Sequence, residues 1–402
     1  MSRPLLPQTG MALLIAALAT LAPFSIDTYL PSFPEIAERL QASPLQVQQT
    51  LTVYMLTFAI MSLWHGAISD SVGRRRVLLW CLALFALFSA GAALATSITQ
   101  LWLMRAAQGL VAGAGTVVGR AIVRDLYEGP AAQKLMSQVT MAFAIAPAIA
   151  PIIGGWLHTW FGWRAVFAFL TLVGAGLWLA CHRWLPETLP LDRRQPLHPA
   201  YLARTYWRVL TSPAFVSATL AVGFNFIGFF IYVMSAPVFL LRHLRVGETD
   251  FYWLFLPAMA GLMLGAWISG RVAGRISRAA TLAQAYALMA GAAFANLLLN
   301  FFLPPALPAS VAPIFLYTTG MALAMPSLTL SGLDLFPAQR GLASSCQSAL
   351  QSLCSALAAG VLAPLFWHST LSLAGGMAML LAIGGGFGAL HLWHIRRKPA
   401  SA

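Results

Sequence analysis

The sequence predicts an all-α integral membrane protein with twelve transmembrane helices in two pseudo-symmetric halves of six. Three observations carry this reading. Of the 402 residues, 59% are hydrophobic and only 9% are charged, where a soluble chain carries roughly 25% charged residues. The apolar residues gather into runs of about 20, the length that crosses a bilayer. The basic residues fall almost entirely on one side of the map those runs define.

The runs are 9–30, 47–69, 77–98, 100–121, 135–158, 164–185, 213–241, 251–271, 281–303, 308–332, 341–366 and 370–393. The first follows a single positive charge, Arg3, and lacks a small-residue cleavage site. It continues to about Leu30, too long for a signal-peptide core, and is expected to stay as a span. The longest polar connection, about 186–210, holds Pro186, Pro190, Pro196 and Pro199. It divides the chain into a first half (1–190), a linker (191–210) and a second half (211–402). A short echo supports duplication: Ile68, Ser69, Gly73 and Arg74 after the second run match Ile268, Ser269, Gly274 and Arg275 after the eighth.

The chain has 24 basic and 11 acidic residues, a net charge of +13. Nineteen of the basic residues fall on one side: Arg3, Arg74, Arg75, Arg76, Arg120, Arg124, Lys134, Arg183, Arg193, Arg194, Arg204, Arg208, Arg271, Arg275, Arg278, Arg340, Arg396, Arg397 and Lys398. Only Arg39, Arg164, Arg242 and Arg245 fall on the other, and Arg105 lies within a run. Loops rich in Lys and Arg stay in the cytoplasm, so both termini are expected there, with the protein in a bacterial inner membrane. Such an excess of positive charge in a membrane chain points to contact with lipid. No basic stretch with interleaved aromatics suggests a nucleic-acid partner. Cys81, Cys181, Cys346 and Cys354 sit in apolar runs without metal-ligand spacing and read as packing residues.

Gly66–Arg76, reading G-A-I-S-D-S-V-G-R-R-R, is expected to be a tight turn between two spans. Gly66 and Gly73 would permit close approach and reversal. Asp70 beside Arg74, Arg75 and Arg76 would form a charge-assisted latch.

This turn resembles motif A of the major facilitator superfamily. Leu101–Gly113 resembles motif B, with Arg105. Ala146–Gly155 resembles motif C, the Gly/Pro pattern of antiporters, with Pro147, Pro151, Gly154 and Gly155. Asp27-Thr28-Tyr29-Leu30-Pro31, Arg120 to Asp125, and Leu185-Pro186-Glu187-Thr188 narrow the resemblance to the Bcr/CflA group of drug:H⁺ antiporters. In the second half it rests on hydropathy and on short pieces such as Ser235-Ala236-Pro237. The resemblance implies two six-helix halves around a central site and proton-driven export of small drugs such as phenicols or bicyclomycin. It also makes motif C a hinge and seal. The proton is the coupling ion; no cofactor or metal is expected, and the chain is expected to act as a monomer.

The residues themselves suggest where coupling occurs. Asp27 and Arg105 are the ionisable residues, histidine aside, well inside predicted runs, and both belong to the outer half of the membrane. A charge there is costly without a partner or water. The two are therefore expected to pair or share a cavity, with Asp27 as proton carrier. Helix-capping by Asp27 and a fixed packing role for Arg105 are the alternatives. His65 reads as interfacial and the other histidines as surface residues near span ends. Ser344, Ser348, Gln351, Ser352 and Ser355 share one face of the eleventh run by the helical period. Thr50, Tyr54 and Thr57, then Asn225, Phe229 and Tyr232, and finally Thr20, Phe24 and Asp27 form similar stripes. Each stripe lines a cavity or a helix interface. Mixed aromatic and hydroxyl groups near one carboxylate suit a moderately apolar drug. A metabolite transporter of the same fold is the alternative. A membrane enzyme lacks support, because there is no metal cluster, nucleophile motif or nucleotide-binding glycine loop.

Overall fold

A computed structural model describes residues 7–127, 129–194, 197–272 and 275–397. Arg3, Gly274 and Lys398 lie outside the described residues. The chain forms two compact units, meeting in sequence at His198 and Pro199.

The first unit contains α1 (Gln8–Asp27), α2 (Phe33–Arg39), α3 (Pro44–Ser62), α4 (Trp64–Val72), α5 (Arg74–Ala93), α6 (Ile98–Leu126), α7 (Gly129–Phe161) and α8 (Trp163–Trp184). The second contains α9 (Pro199–Leu210), α10 (Pro213–Met234), α11 (Tyr252–Val272), α12 (Arg278–Phe302), α13 (Ala312–Leu333), α14 (Arg340–Leu357), α15 (Ala363–Phe366) and α16 (Thr370–Arg397). Among the described residues, ten segments are long and apolar enough to span a membrane. The pair α3 and α4, bent by 50°, makes an eleventh. The 33-residue α7 takes the place of the fifth predicted run, with no Asp, Glu, Lys or Arg from Met141 to Trp160. Ten spans and the bent pair, with α7 in the fifth place, are consistent with the twelve-run pattern. Part of the expected linker is the helix α9.

Local sequence sets the helix ends. Ser43 accepts from the Gln46 amide while Gln46 returns a side-chain oxygen to the Ser43 amide, a reciprocal cap that starts α3. Ser97 and Ser277 cap α6 and α12 one way only, by accepting the amides of Gln100 and Ala280. The break between α4 and α5 falls on Gly73 alone, at φ +111°, and that between α7 and α8 on Gly162, at φ +78°. Only glycine adopts this backbone freely. Gly66, expected to shape the turn, instead lies inside α4, where an added Cβ would make ordinary contact with Val117.

The same pairings recur within each unit. α3 packs on α6 as α11 packs on α13; α5 packs on α6 and α8 as α12 packs on α13 and α16. Small residues set the spacing, because without a hydrophobic drive in lipid close backbone approach is what holds helices together. Gly109 of α6 lies against Thr57 and the Tyr54 carbonyl of α3. In the second unit Gly261 of α11 lies against Thr318 and the Phe315 carbonyl of α13, the same contact with the helices' roles exchanged. Gly154 of α7 lies directly on the Thr28 carbonyl at the end of α1.

Gly154→Val would force α7 off α1, at a cost of about 1–3 kcal/mol. Gly176 in α8 has open space where its Cβ would be, so Gly176→Ala should change stability by less than about 0.5 kcal/mol. Unfolding midpoints of the purified variants in detergent check this ordering. Equal midpoints would remove the α1–α7 contact as a determinant of stability.

Candidate functional site

Arg105 is completely buried in α6 and bridges four helices. Its Nη1 donates to Ser25 Oγ of α1 at 2.9 Å and to Gln108 Oε1 at 2.8 Å. Gln108 Nε2 passes the chain to Ser89 Oγ of α5 at 2.7 Å, and Ser89 donates to the Phe85 carbonyl. The guanidinium lies over the rings of Tyr29 at 4.6 Å and Tyr54 of α3 at 4.2 Å. The face of an aromatic ring attracts a cation, most strongly where water is absent. Tyr29 is held by a 2.7 Å hydroxyl bond with Thr50.

Asp27 is also buried, at 4% exposure, but no ion pair joins it to Arg105. Its Oδ1 has no hydrogen-bond partner. The expected direct pair is absent for a geometric reason. Ser25 and Asp27 are two residues apart, about 200° around a helix, so the face that offers Ser25 to Arg105 turns Asp27 elsewhere. Asp27 instead continues the face of Thr20 and Phe24, both half-buried.

A second charged cluster closes the opposite end of this unit. Arg74 is the first residue of α5 and is 8% exposed. Its Nη1 is in contact with Asp70 and donates to Ser69 Oγ, and its Nε reaches Asp125 Oδ2 of α6 at 3.2 Å. Its backbone N–H donates to Glu187 Oε1 at 2.9 Å. Thr188 also donates to Asp125, and Arg194 Nη2 lies 3.8 Å from Glu187 Oε2. Arg75 donates to the His182 carbonyl. Asp70 and Arg74 are therefore in contact, within a larger cluster. Asp125, Glu187 and Thr188 are visible as motif residues in the sequence; that they converge on Arg74 is not. The second unit repeats the central bond: Arg278, first residue of α12, meets Asp334 after α13 at 3.3 Å, and Arg340 adds a 3.0 Å contact.

At the other end of the first unit, Glu35 of α2 accepts the backbone N–H of Trp163, first residue of α8, at 2.9 Å. His158 Nδ1 lies 3.2 Å away from the same oxygen. The pattern repeats that of Gly73, Arg74 and Glu187: a positive-φ glycine, then a helix-starting amide bonded to a distant glutamate. A carboxylate at a helix N-terminus satisfies an orphan donor and meets the positive end of the helix dipole.

Residues 15–359 match the family model described as Major Facilitator Superfamily. The chain belongs to the Major Facilitator Superfamily. It is 38% identical over 318 residues to the uncharacterized MFS-type transporter YdgK of Bacillus subtilis, covering 78% of this chain and 79% of that one. It is 30% identical over 276 residues to the bicyclomycin resistance protein homolog of Haemophilus influenzae, covering 69% of each. It is 28% identical over 376 residues to multidrug resistance protein D of Escherichia coli, covering 94% of this chain and 93% of that one. The chain is therefore a multi-pass membrane transporter of this superfamily rather than an enzyme.

For such a transporter, the polar stripes separate into two kinds. Several are engaged in helix packing. Thr57 donates to the Ala106 carbonyl across the α3–α6 contact. Tyr54 is fully buried under Arg105. Asn225 Nδ2 donates to Tyr286, and Tyr317 donates to the Asn225 carbonyl. Tyr232 accepts from Asn296 at 2.7 Å, and Phe229 is buried beside Phe226. The stripe on α14 is different. Ser344, Ser348, Gln351 and Ser352 are half-buried, and among the described residues their own side chains make no hydrogen bond, although the Gln351 carbonyl accepts from Ser355. Phe24 is half-buried as well.

Motif C adopts a helix that runs on through Pro147 and Pro151, and Gly154 supplies its close contact to α1. Gly155 is buried, and its carbonyl accepts from Thr159. Three histidines differ from the sequence reading. His65 is 1% exposed, enclosed by Phe58 and Gly113 instead of interfacial. His158 and His391 are buried because each finds polar partners: Glu35 for one, Ser331 and the Ala214 carbonyl for the other. Among the described residues, no cluster of three or more His, Cys, Asp or Glu has metal-binding geometry.

Because the Arg74 side chain serves three partners and Arg76 is exposed, Arg74→Ala should lower transport at least ten-fold at matched membrane levels, while Arg76→Ala stays within two-fold. Asp70→Asn should impair transport without preventing membrane insertion, read by immunoblot of washed membranes. Unchanged transport in Asp70→Asn would remove the Asp70–Arg74 pair from the transport cycle.

Proposed function

We propose that this chain is a proton-coupled exporter of small, moderately apolar drugs, bicyclomycin-like or phenicol-like, in a bacterial inner membrane. Both termini face the cytoplasm and the monomer is the working unit. The observation that carries the coupling is Asp27: a carboxyl group at membrane depth, with one oxygen unbonded and no cation in ion-pair contact. Removal from water without a partner disfavours a carboxylate, and access to water or to a cation relieves that cost. A conformational cycle that changes this access would load and release one proton. Arg105 keeps the surrounding helices in place and supplies the nearby positive charge. One charge crossing 100 mV gains about 2.3 kcal/mol, enough to drive a neutral drug uphill by more than ten-fold.

The drug side of the reading is supported by the relatives named for bicyclomycin and multidrug resistance. It is also supported by the half-buried Ser348 and Gln351 of the second unit, which offer hydroxyl and amide groups, and by the half-buried Phe24 of the first, which offers an aromatic face. Tyr54 and Thr57 in the first unit, and Asn225, Phe229 and Tyr232 in the second, hold the helices that carry these groups. Pro147, Pro151, Gly154 and Gly155 act as the hinge and seal, and the Gly73–Arg75 turn with Asp70 and Gly66 as the gate, in an alternating-access cycle. The two halves, 1–190 and 211–402, alternate through the 191–210 segment.

Inverted vesicles with an imposed pH gradient test this reading. Chloramphenicol or florfenicol added to wild-type vesicles should release protons, detected with a pH-sensitive dye, and Asp27→Asn should abolish the release. Release that survives in the variant would overturn Asp27 as the carrier. No release in wild type across a panel including bicyclomycin would overturn drug–proton exchange.

A further inference from the structure

The helix α9 is the most sharply two-faced of the chain. Leu202, Thr205, Tyr206 and Val209 are buried, and α9 is seated on α10 and α14. The other face carries Tyr201, Arg204, Trp207 and Arg208, with Trp207 73% exposed and Tyr201 55% exposed. Neither arginine is in an ion pair among the described residues, and the sequence has no Asp or Glu from Gln195 to Gly247. Within this stretch of sequence these cations have no acidic counterpart.

Position supplies the second argument. Only Thr211 and Ser212 separate α9 from Pro213, where the α10 span begins. The helix is therefore held at the depth where a span leaves the hydrocarbon. Trp and Tyr concentrate at that depth, with the ring in the apolar boundary and the polar edge in the headgroups. Arg can lay its stem along apolar surface and keep its charge in the headgroup layer. An amphipathic helix with basic and aromatic residues together on its outer face fits an anionic bilayer surface.

We propose that the outer face of α9 docks on anionic phospholipid, with Arg204 and Arg208 on lipid phosphates and Tyr201 and Trp207 in the acyl boundary. The inner face ties this contact to α14, which carries the half-buried Ser348 and Gln351. The proposal rests on the chain spanning a membrane and needs neither the proton nor the drug assignment.

The test titrates the purified full chain in detergent with dioleoyl phosphatidylglycerol or dioleoyl phosphatidylcholine and follows the unfolding midpoint. For Arg204→Gln/Arg208→Gln, the phosphatidylglycerol concentration giving half of the stabilisation should rise about ten- to thirty-fold. The phosphatidylcholine titration should not change. Trp207→Ala should weaken both lipids alike. Arg242→Gln/Arg245→Gln, the same charge change at the other end of α10, should leave both titrations within two-fold. A shift below two-fold in the α9 double variant, or an equal shift in the Arg242/Arg245 variant, would overturn the docking surface. So would stabilisation of wild type by glycerol phosphate matching that by phosphatidylglycerol, since the site would then bind a free phosphate.

Discussion

Hydrocarbon offers no hydrogen bonds, so each polar group carried into it must be satisfied by the chain. Arg105 illustrates how much structure this demands. A guanidinium has five N–H donors and a charge that no protein environment removes. Here it draws Ser25 from α1, Gln108 from its own helix and, through Gln108, Ser89 from α5, and it lies on the rings of Tyr29 and Tyr54. Four helices are thereby fixed around one side chain. Its Nε and Nη2 have no hydrogen-bond partner and rely on those ring faces, and Asp27, buried in the same unit, likewise keeps an unbonded oxygen.

The two units solve the same packing problem with different residues. An arginine opening a helix and an aspartate at the end of the next one meet in both, as Arg74 with Asp125 and as Arg278 with Asp334. The Gly–Thr contact also recurs, but glycine and threonine trade helices between Gly109/Thr57 and Gly261/Thr318. What duplication has preserved is the approach distance and the charge bond, while the identity of the helix supplying each partner is free to change. This is why the sequence echo between Arg74 and Arg275 points to the right turn but to a different arginine.

The fold was legible because lipid imposes long apolar runs, and runs of that kind need no tertiary information to be counted. Gln108 was readable as a partner of Arg105, three residues along one helix face. Ser25 and Ser89 were not, since they come from other helices and lie in unremarkable sequence. The opposite faces of Ser25 and Asp27 follow from helical period, yet matter only once α6 is known to lie on the Ser25 side. Likewise His158 and His391 look like span-end surface residues until Glu35 and Ser331 are brought beside them. The polar stripes show the limit most plainly: periodicity identifies the face, and only packing tells the engaged Asn225 from the half-buried Gln351.

The glutamate-bonded turns bear on how the protein is made. Arg74 emerges from the ribosome well before Glu187, and Glu35 well before Trp163, so neither turn can be completed while its helices are being inserted one by one. Each waits for a partner more than a hundred residues downstream. Every partner of Arg74 described here nevertheless lies before Pro199, where the second unit begins. The first unit can therefore close its charged cluster as soon as Glu187 is synthesised. Its biogenesis is delayed to the end of its own sixth span, but it need not wait for the remaining spans to enter the bilayer.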